Sequence, residues 1–287
     1  MNILIAGCNG QLGKEIQQLE PADATNTFFN ADTKELDVTD EAAVAHFINE
    51  HSIDGIVNCA AYTAVDKAEN DVPACMAVNA MAPAYLAAAV QKRGGFIILP
   101  STDYVFNGKK STPYTEEDLP EALNVYGSTK LQGELAAQQN CSRTMILRTA
   151  WLYSTYGNNF VKTMIRLGKE RAELSVVFDQ IGTPTYAKGL AKTIMHILKK
   201  GINPGIYNYS DEGAASWYDF TKAIHRLAGI NTCTVNPIHT GEYPTLAKRP
   251  HYSVLDKSKL KQTYAITIPH WEDHLAECIS TLKAEIV

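Results

Sequence analysis

Five short apolar runs, each separated from the next by a stretch of helical periodicity, dominate the first half of the chain. They are "NILIA" (2–6), "TFFNA" (27–31), "GIVNCA" (55–60), "GFIILPS" (95–101) and "TMILR" (144–148). Short apolar runs alternating with helical patterns are the signature of βαβ units, so a doubly wound parallel α/β sheet is expected. Among the helices, Thr39 and Asp40 cap one that carries Val44, Phe47 and Ile48 at helical spacing. Another opens at Pro73, is rich in alanine, runs to Arg93 and stops at Gly94 and Gly95.

After about residue 150 the alternation loosens. Loops such as "WLYSTYGNNF", "FDQIGTPTYA" and "EYPTLAKRPHYS" separate helices expected near 158–170, 186–200, 215–228 and 270–285. Residues 1–150, completed by the helix near 186–200, are expected to form the first domain. Residues 151–185 and 201–287 form a smaller α/β region that covers a substrate. With no Gly/Ser linker and no internal repeat, the two regions are expected to pack directly on one another.

The 287 residues, 45% of them apolar, suffice for one large domain or two closely joined ones. A net charge of −5 with scattered lysines and arginines gives no electrostatic footprint for nucleic acid or an anionic membrane. No apolar run approaches the roughly 20 residues that span a bilayer. The N-terminus enters its first strand without a basic segment and cleavage site, so a cytoplasmic location is expected. The six cysteines form no C-x-x-C pair and are expected to be reduced and mostly buried.

The first strand runs into "GCNGQLG", where Gly7, Gly10 and Gly13 precede a helix beginning near Gln11. Glycines let the backbone turn tightly and approach a pyrophosphate at a helix N-terminus, and Gly13 allows close helix-to-strand contact. Three glycines alone are a weak signal that a plain βα turn also produces; their place between strand and helix at the N-terminus points to dinucleotide binding. Asp32 closes the second strand, where an acid accepts hydrogen bonds from the adenosine ribose. Lys34 beside it suits a 2′-phosphate, so NAD and NADP both stay open. Asp37 is placed either to meet the adenine edge or as a polar residue before a helix cap.

The third strand leads into "CAAYTAVDKAE", whose small Ala60 and Ala61 permit close approach of a cofactor. Tyr62 and Thr63 either line its nicotinamide side or pack at the strand end. Asn79, polar within an apolar helix, ties helix to strand, holds a relay water or makes a plain buried hydrogen bond. The fourth strand ends "PSTDYVFNG", placing Ser101 and Thr102 at the same sheet edge, 24 positions before Tyr126 for Thr102. In "NVYGSTK", Tyr126 and Lys130 stand four apart and share a helix face. A phenol ionises near pH 10, so proton exchange at neutral pH calls for a neighbouring cation, which Lys130 supplies. A Thr102 hydroxyl suits holding a carbonyl oxygen against the phenol.

"GCNGQLG", "STDYVF" and "YGSTK" together resemble the extended short-chain dehydrogenase/reductase superfamily, with its Rossmann-like sheet. Within it, "NCAAYTAVDKAE", "NVYGSTKLQGE", "LRTAWLY", "NNFVKTM", "DQIGTPT" and "RPHYSVLD" resemble the dTDP-4-dehydrorhamnose reductase family over nearly the whole chain. That resemblance implies NADPH-dependent reduction, with NADH as the other cofactor to consider, of the 4-keto group of dTDP-6-deoxy-L-lyxo-4-hexulose. It makes Tyr126 the proton donor, Lys130 the group that lowers its pKa and holds the nicotinamide ribose, and Thr102 the hydroxyl that orients the keto oxygen. Gly10, Gln11 and Leu12 match the pyrophosphate loop; Asp32, Asp37, Val38, Ala61, Tyr62 and Thr63 match further cofactor contacts. Asp103 and Trp151 match substrate contacts, and Arg249 a nucleotide-diphosphate contact, for which a surface arginine before a proline is the plain alternative. Tyr62 stands where histidine is expected. The family leaves room for a homodimer.

Sister 4,6-dehydratases place Asp then Glu after the threonine, because eliminating water needs an acid and a base. Here Asp103 is followed by Tyr104, which disfavours dehydration. A non-catalytic regulatory subunit is a second reading, against which Thr102, Tyr126 and Lys130 all stand. No metal is expected: His270 and His274 lie four apart without the H-E-x-x-H glutamate, which suits a solvated helix face better than zinc.

Overall fold

The computed structural model describes residues 1–284. Its first half runs β1 (Asn2–Ala6), α1 (Gln11–Gln17), β2 (Thr27–Ala31), α2 (Glu41–Glu50), β3 (Gly55–Asn58), α3 (Val65–Ala68), α4 (Val72–Met76), α5 (Ala82–Gln91), β4 (Phe96–Thr102), α6 (Val125–Asn140) and β5 (Thr144–Thr149). There follow β6 (Leu152–Tyr153), α7 (Phe160–Glu170), β7 (Glu173–Val177), β8 (Ile181–Gly182), β9 (Thr185–Tyr186), α8 (Ala187–Lys200) and β10 (Gly205–Asn208). The chain closes with β11 (Ala215–Ser216), α9 (Trp217–Ala228), β12 (Thr234–Ile238), α10 (Ser258–Tyr264) and α11 (Trp271–Ala284). Residue 285 of the helix expected at 270–285 lies outside the described residues.

Six parallel strands form the central sheet in the order β10-β5-β4-β3-β1-β2. β3 and β5 are buried along their whole length, as strands covered by helices on both faces are. One face packs Ile3, Ile5 and Val57 against Leu190, Ile194 and Leu198 of α8. The other packs Leu4, Ile56 and Ile97 against α2 and α5. β2 and β3 lie on opposite sides of β1, so the strand order reverses there and opens the crevice at the carboxyl edge where doubly wound sheets bind ligands. A third cluster, around Tyr153, Phe220, Trp271 and Leu275, holds the second half together.

Four features of the fold depart from what the sequence leads one to expect. β10, assigned by sequence to the covering region, pairs with β5 in the central sheet: a four-residue strand carries too little periodicity to be read alone. The alanine-rich helix is interrupted by a π-helical turn, Ala77–Met81, with Asn79 inside it. The helical stretch Val72–Gln91 is, by length and a mean hydropathy of 1.4, apolar enough to cross a membrane, contrary to the expectation of no such run. Here Leu86, Ala87 and Val90 of that stretch pack on the sheet beside Ile97 and Leu99. Finally, His274 does not face solvent; it is buried and its Nδ1 lies 2.8 Å from the fully buried Asp211 Oδ1, across 63 residues of sequence. No group of three His, Cys, Asp or Glu among the described residues is arranged to hold a metal.

Candidate active site

The glycine turn is built at the switch point. Gly7 has φ +72°, and a Cβ there would lie 2.5 Å from the Ala60 backbone nitrogen, so only glycine lets β1 and β3 approach so closely at their ends. The Gly7 and Cys8 amides donate to the Ala31 carbonyl at 2.8 and 3.1 Å, fastening the turn to β2. A Cβ on Gly13 would meet Cys8 Cα at 2.6 Å, which accounts for the third glycine. Gly10 caps α1 without a side-chain hydrogen bond, so the helix presents bare backbone at its positive end. The Leu12 side chain is in the core, leaving its backbone for any ligand, and Gln11 Oε1 accepts from Asn159 at 3.1 Å.

Asp32 stands at the end of β2 with its carboxylate accepting from the Thr33 amide at 2.7 Å and the Asn9 amide at 3.1 Å. Burial pushes this carboxyl up, but those bonds outweigh it and hold the group below its ordinary range, hence ionised. Asp37 is exposed and caps its own turn through Thr39, while Val38 is buried against Ala31 and Val44. After β3, the segment with Ala61, Tyr62 and Thr63 is tied to the π-helical turn: Asn79 Oδ1 accepts from the Tyr62 amide at 2.9 Å and Asn79 Nδ2 donates to the Tyr62 carbonyl. The Tyr62 hydroxyl turns away to Asp71 at 3.0 Å. A bare glycine turn, an ionised acid at the end of β2 and small residues after β3 fit a dinucleotide lying across the switch point.

The residues expected to transfer a proton stand at the neighbouring strand end. Asn124 caps α6 by accepting from the Gly127 amide at 2.7 Å, and Glu69 accepts from the Val125 amide, so the first turn carrying Tyr126 is firmly started. The Tyr126 ring meets Tyr104 edge-on at 5.8 Å. Thr102 is buried at the end of β4; its hydroxyl accepts from the Tyr104 amide and reaches Asp103 Oδ1 at 3.2 Å. Lys130 is buried, and its Nζ donates to the Pro100 carbonyl at 2.7 Å.

Burial pushes the Tyr126 phenol up to about 12, with the Thr102 hydrogen bond opposing, while one donor of the Lys130 ammonium goes to Pro100. Burial likewise pushes Lys130 down to about 8 against the opposing pull of Glu134. Asp103 is pushed up to about 7 by burial, with Ser253 and Thr102 opposing. At neutral pH the phenol is therefore protonated and the lysine mostly charged.

Beside these residues lies a cleft of about 810 Å³ lined by Tyr104, Phe160, Gln180, Trp217, Tyr243 and Arg249 among others. Arg249 is no free surface arginine: its guanidinium is gripped by Asp66 at 2.6 and 3.2 Å. Trp151 adopts φ +47° and stacks on Trp217 at 3.5 Å, a backbone strain tolerated where packing over-determines the conformation. Trp217 and Asp66 carry no site signal in the sequence, where Tyr104 figures only as the residue that follows Asp103. Asp66 and Arg249 are 183 positions apart, with no local signal linking them.

A parallel sheet with a glycine turn at its switch point and a Thr, Tyr and Lys at the adjoining edge defines the class of dinucleotide-dependent short-chain oxidoreductases. Comparison with known proteins narrows this. The family model described as RmlD substrate binding domain matches residues 1–284. The chain is 41% identical over 280 residues to the dTDP-4-dehydrorhamnose reductase of Aggregatibacter actinomycetemcomitans, covering 94% of this chain and 95% of that one. The crystal structure of a dTDP-4-dehydrorhamnose reductase from Clostridium acetobutylicum is 44% identical with a TM-score of 0.95, covering 99% of this chain and 100% of that one. The Bacillus anthracis dTDP-4-dehydrorhamnose reductase, solved in complex with NADP, is 39% identical with a TM-score of 0.93 and covers 98% and 99%. The chain belongs to the dTDP-4-dehydrorhamnose reductase family of NAD(P)-dependent oxidoreductases.

Proposed function

We propose that this protein uses NADPH to reduce the 4-keto group of dTDP-6-deoxy-L-lyxo-4-hexulose, giving dTDP-L-rhamnose in the cytoplasm. The observation that carries the reading is the Tyr126 phenol within hydrogen-bond reach of Thr102 at the end of β4, with Lys130 one helical turn further along α6 and Tyr104, edge-on to Tyr126, lining the cleft. When bound, the reduced nicotinamide supplies the hydride that adds to the keto carbon. Thr102 orients the keto oxygen, and Tyr126 gives its phenolic proton to that oxygen as it gains negative charge, so the product is an alcohol. Lys130, charged below about pH 8, stabilises the phenolate left on Tyr126. The glycine turn and the first turn of α1 hold the pyrophosphate, with Gly7, Gly10, Gln11, Leu12 and Gly13 contributing backbone. Asp32, Asp37, Val38, Ala61, Tyr62 and Thr63 frame the rest of the dinucleotide. Asp103, Trp151 and Arg249 serve the sugar nucleotide. NADPH is preferred over NADH on the strength of the NADP-bound relative.

The test is loss of reduced-nicotinamide absorbance with NADPH, and then NADH, in the presence of the enzymatically generated 4-keto sugar nucleotide. No oxidation with either, despite NADPH binding, would discard the reading in favour of another sugar-nucleotide substrate or a regulatory subunit.

Two further results are expected. Because Lys130 loses its charge near pH 8 in the free enzyme, kcat/KM should hold at neutral pH and fall as pH rises through about 8. Asp103→Asn should leave that limb in place, whereas a profile flat to about pH 10 would remove the lysine charge from the mechanism. Arg249→Lys, which gives up the two-pronged grip on Asp66 that orients this cation at the cleft, should raise KM for the sugar nucleotide about tenfold with little change in kcat. Steady-state kinetics at fixed NADPH decides this; an unchanged KM would place the diphosphate elsewhere.

A further inference from the structure

Tyr126, Lys130 and Glu134 follow one another at four-residue steps along one face of α6. Facing them, Pro100, Ser101 and Thr102 are consecutive residues at the end of β4. Lys130 Nζ donates to the Pro100 carbonyl at 2.7 Å, and the Ser101 hydroxyl donates to Glu134 Oε1. Two turns of helix are thus pinned to two successive strand residues. One helical turn before Lys130 stands the phenol, and the residue after Ser101 carries the threonine hydroxyl within hydrogen-bond reach of it. Glu134 is itself fixed from a third element. Arg148 of β5, paired opposite Ser101 in the sheet, donates through Nε at 3.1 and 3.2 Å and through Nη2 at 2.7 Å to the Glu134 carboxylate. Glu134 and Arg148 are only 1% and 2% exposed, and the guanidinium sits 5.2 Å from the Phe106 ring centroid.

A buried ion pair is seldom the most stabilising filling for such a space, since desolvating both charges offsets most of their attraction. What it supplies is direction: a carboxylate whose oxygens are fixed by a guanidinium fork can accept the Ser101 hydroxyl in one geometry only.

We propose that Ser101 and Glu134 are positioning residues, forming with Arg148 a latch that sets the register of Tyr126 on α6 against Thr102 on β4. The inference rests on the reductase reading above. Reacting groups held in a near-attack arrangement lose about a hundredfold in rate for a displacement of about 1 Å, so the latch acts on kcat rather than on binding.

Altering Glu134 strands Arg148 and risks unfolding, so the test uses Ser101→Ala, which removes one hydroxyl and leaves the buried pair whole. In this variant kcat should fall tenfold or more while KM for NADPH and for the sugar nucleotide stays within about twofold. Ser101→Thr, which keeps a hydroxyl, should recover at least half of the native kcat. Independently of turnover, the crystal structure of Ser101→Ala should show the Thr102 hydroxyl and the Tyr126 phenol displaced relative to one another. An undisplaced pair overturns the proposal whatever the activity, and so does an unchanged kcat in an active enzyme. A native protein that oxidises no NADPH overturns the reductase reading instead, and the crystallographic comparison then decides the latch alone.

Discussion

Tyr126→Phe should lower kcat by about a thousandfold while leaving NADPH binding within a factor of about two, since positioned acid catalysis contributes roughly 10²- to 10⁴-fold. The substitution deletes one hydroxyl. The ring stays, and with it the edge contact to Tyr104 at 5.8 Å and the capped first turn of α6. The loss therefore belongs to proton transfer rather than to folding. Turnover by absorbance, paired with NADPH binding followed by fluorescence, separates the two. A fall of only a few-fold would move the proton donor elsewhere, and Asp103, with its carboxyl pushed by burial up to about 7, would be the first place to look.

The second large effect is on stability. Arg148→Met leaves the Glu134 carboxylate, 1% exposed, without its counter-ion. Breaking a buried pair from one side costs about 3–5 kcal/mol, because the remaining charge is neither solvated nor neutralised. For a chain of this length that corresponds to a drop of about 10 °C in the thermal midpoint. Glu134→Leu combined with Arg148→Met should recover more than half of the loss, since apolar side chains of similar volume need no counter-ion. Thermal unfolding followed by circular dichroism checks both. Two single losses that simply add in the double variant would show that the pair is not coupled.

The five strands read as apolar runs all appear, and "NILIA" and "TFFNA" match their observed bounds. The third strand stops two residues short of its expected end, at Asn58, where the Asn58 side chain turns back to accept from the Ala60 amide. Asp40 caps α2 as read, by accepting from the Ala42 and Ala43 amides. These features are local: a strand covered on both faces is mostly apolar, and a cap needs an acceptor at one fixed position. Cys8, Cys75, Cys141 and Cys278 are buried, while Cys59 and Cys233 are partly exposed.

The Tyr126 to Lys130 spacing was legible because four residues bring two side chains to one helix face. That one donor of the lysine goes to the Pro100 carbonyl was not, because Pro100 comes from β4, 30 residues earlier. The same holds for Arg249 with Asp66, Trp151 with Trp217 and His274 with Asp211.

By itself, then, the sequence determined the layered architecture, the glycine turn and the residue types of the candidate site, since each is written in residue type and short-range period. Only the tertiary structure decided which charges are paired, which groups lose water and by how much their proton affinities move. Those quantities depend on desolvation and on partners that the fold brings in from distant parts of the chain.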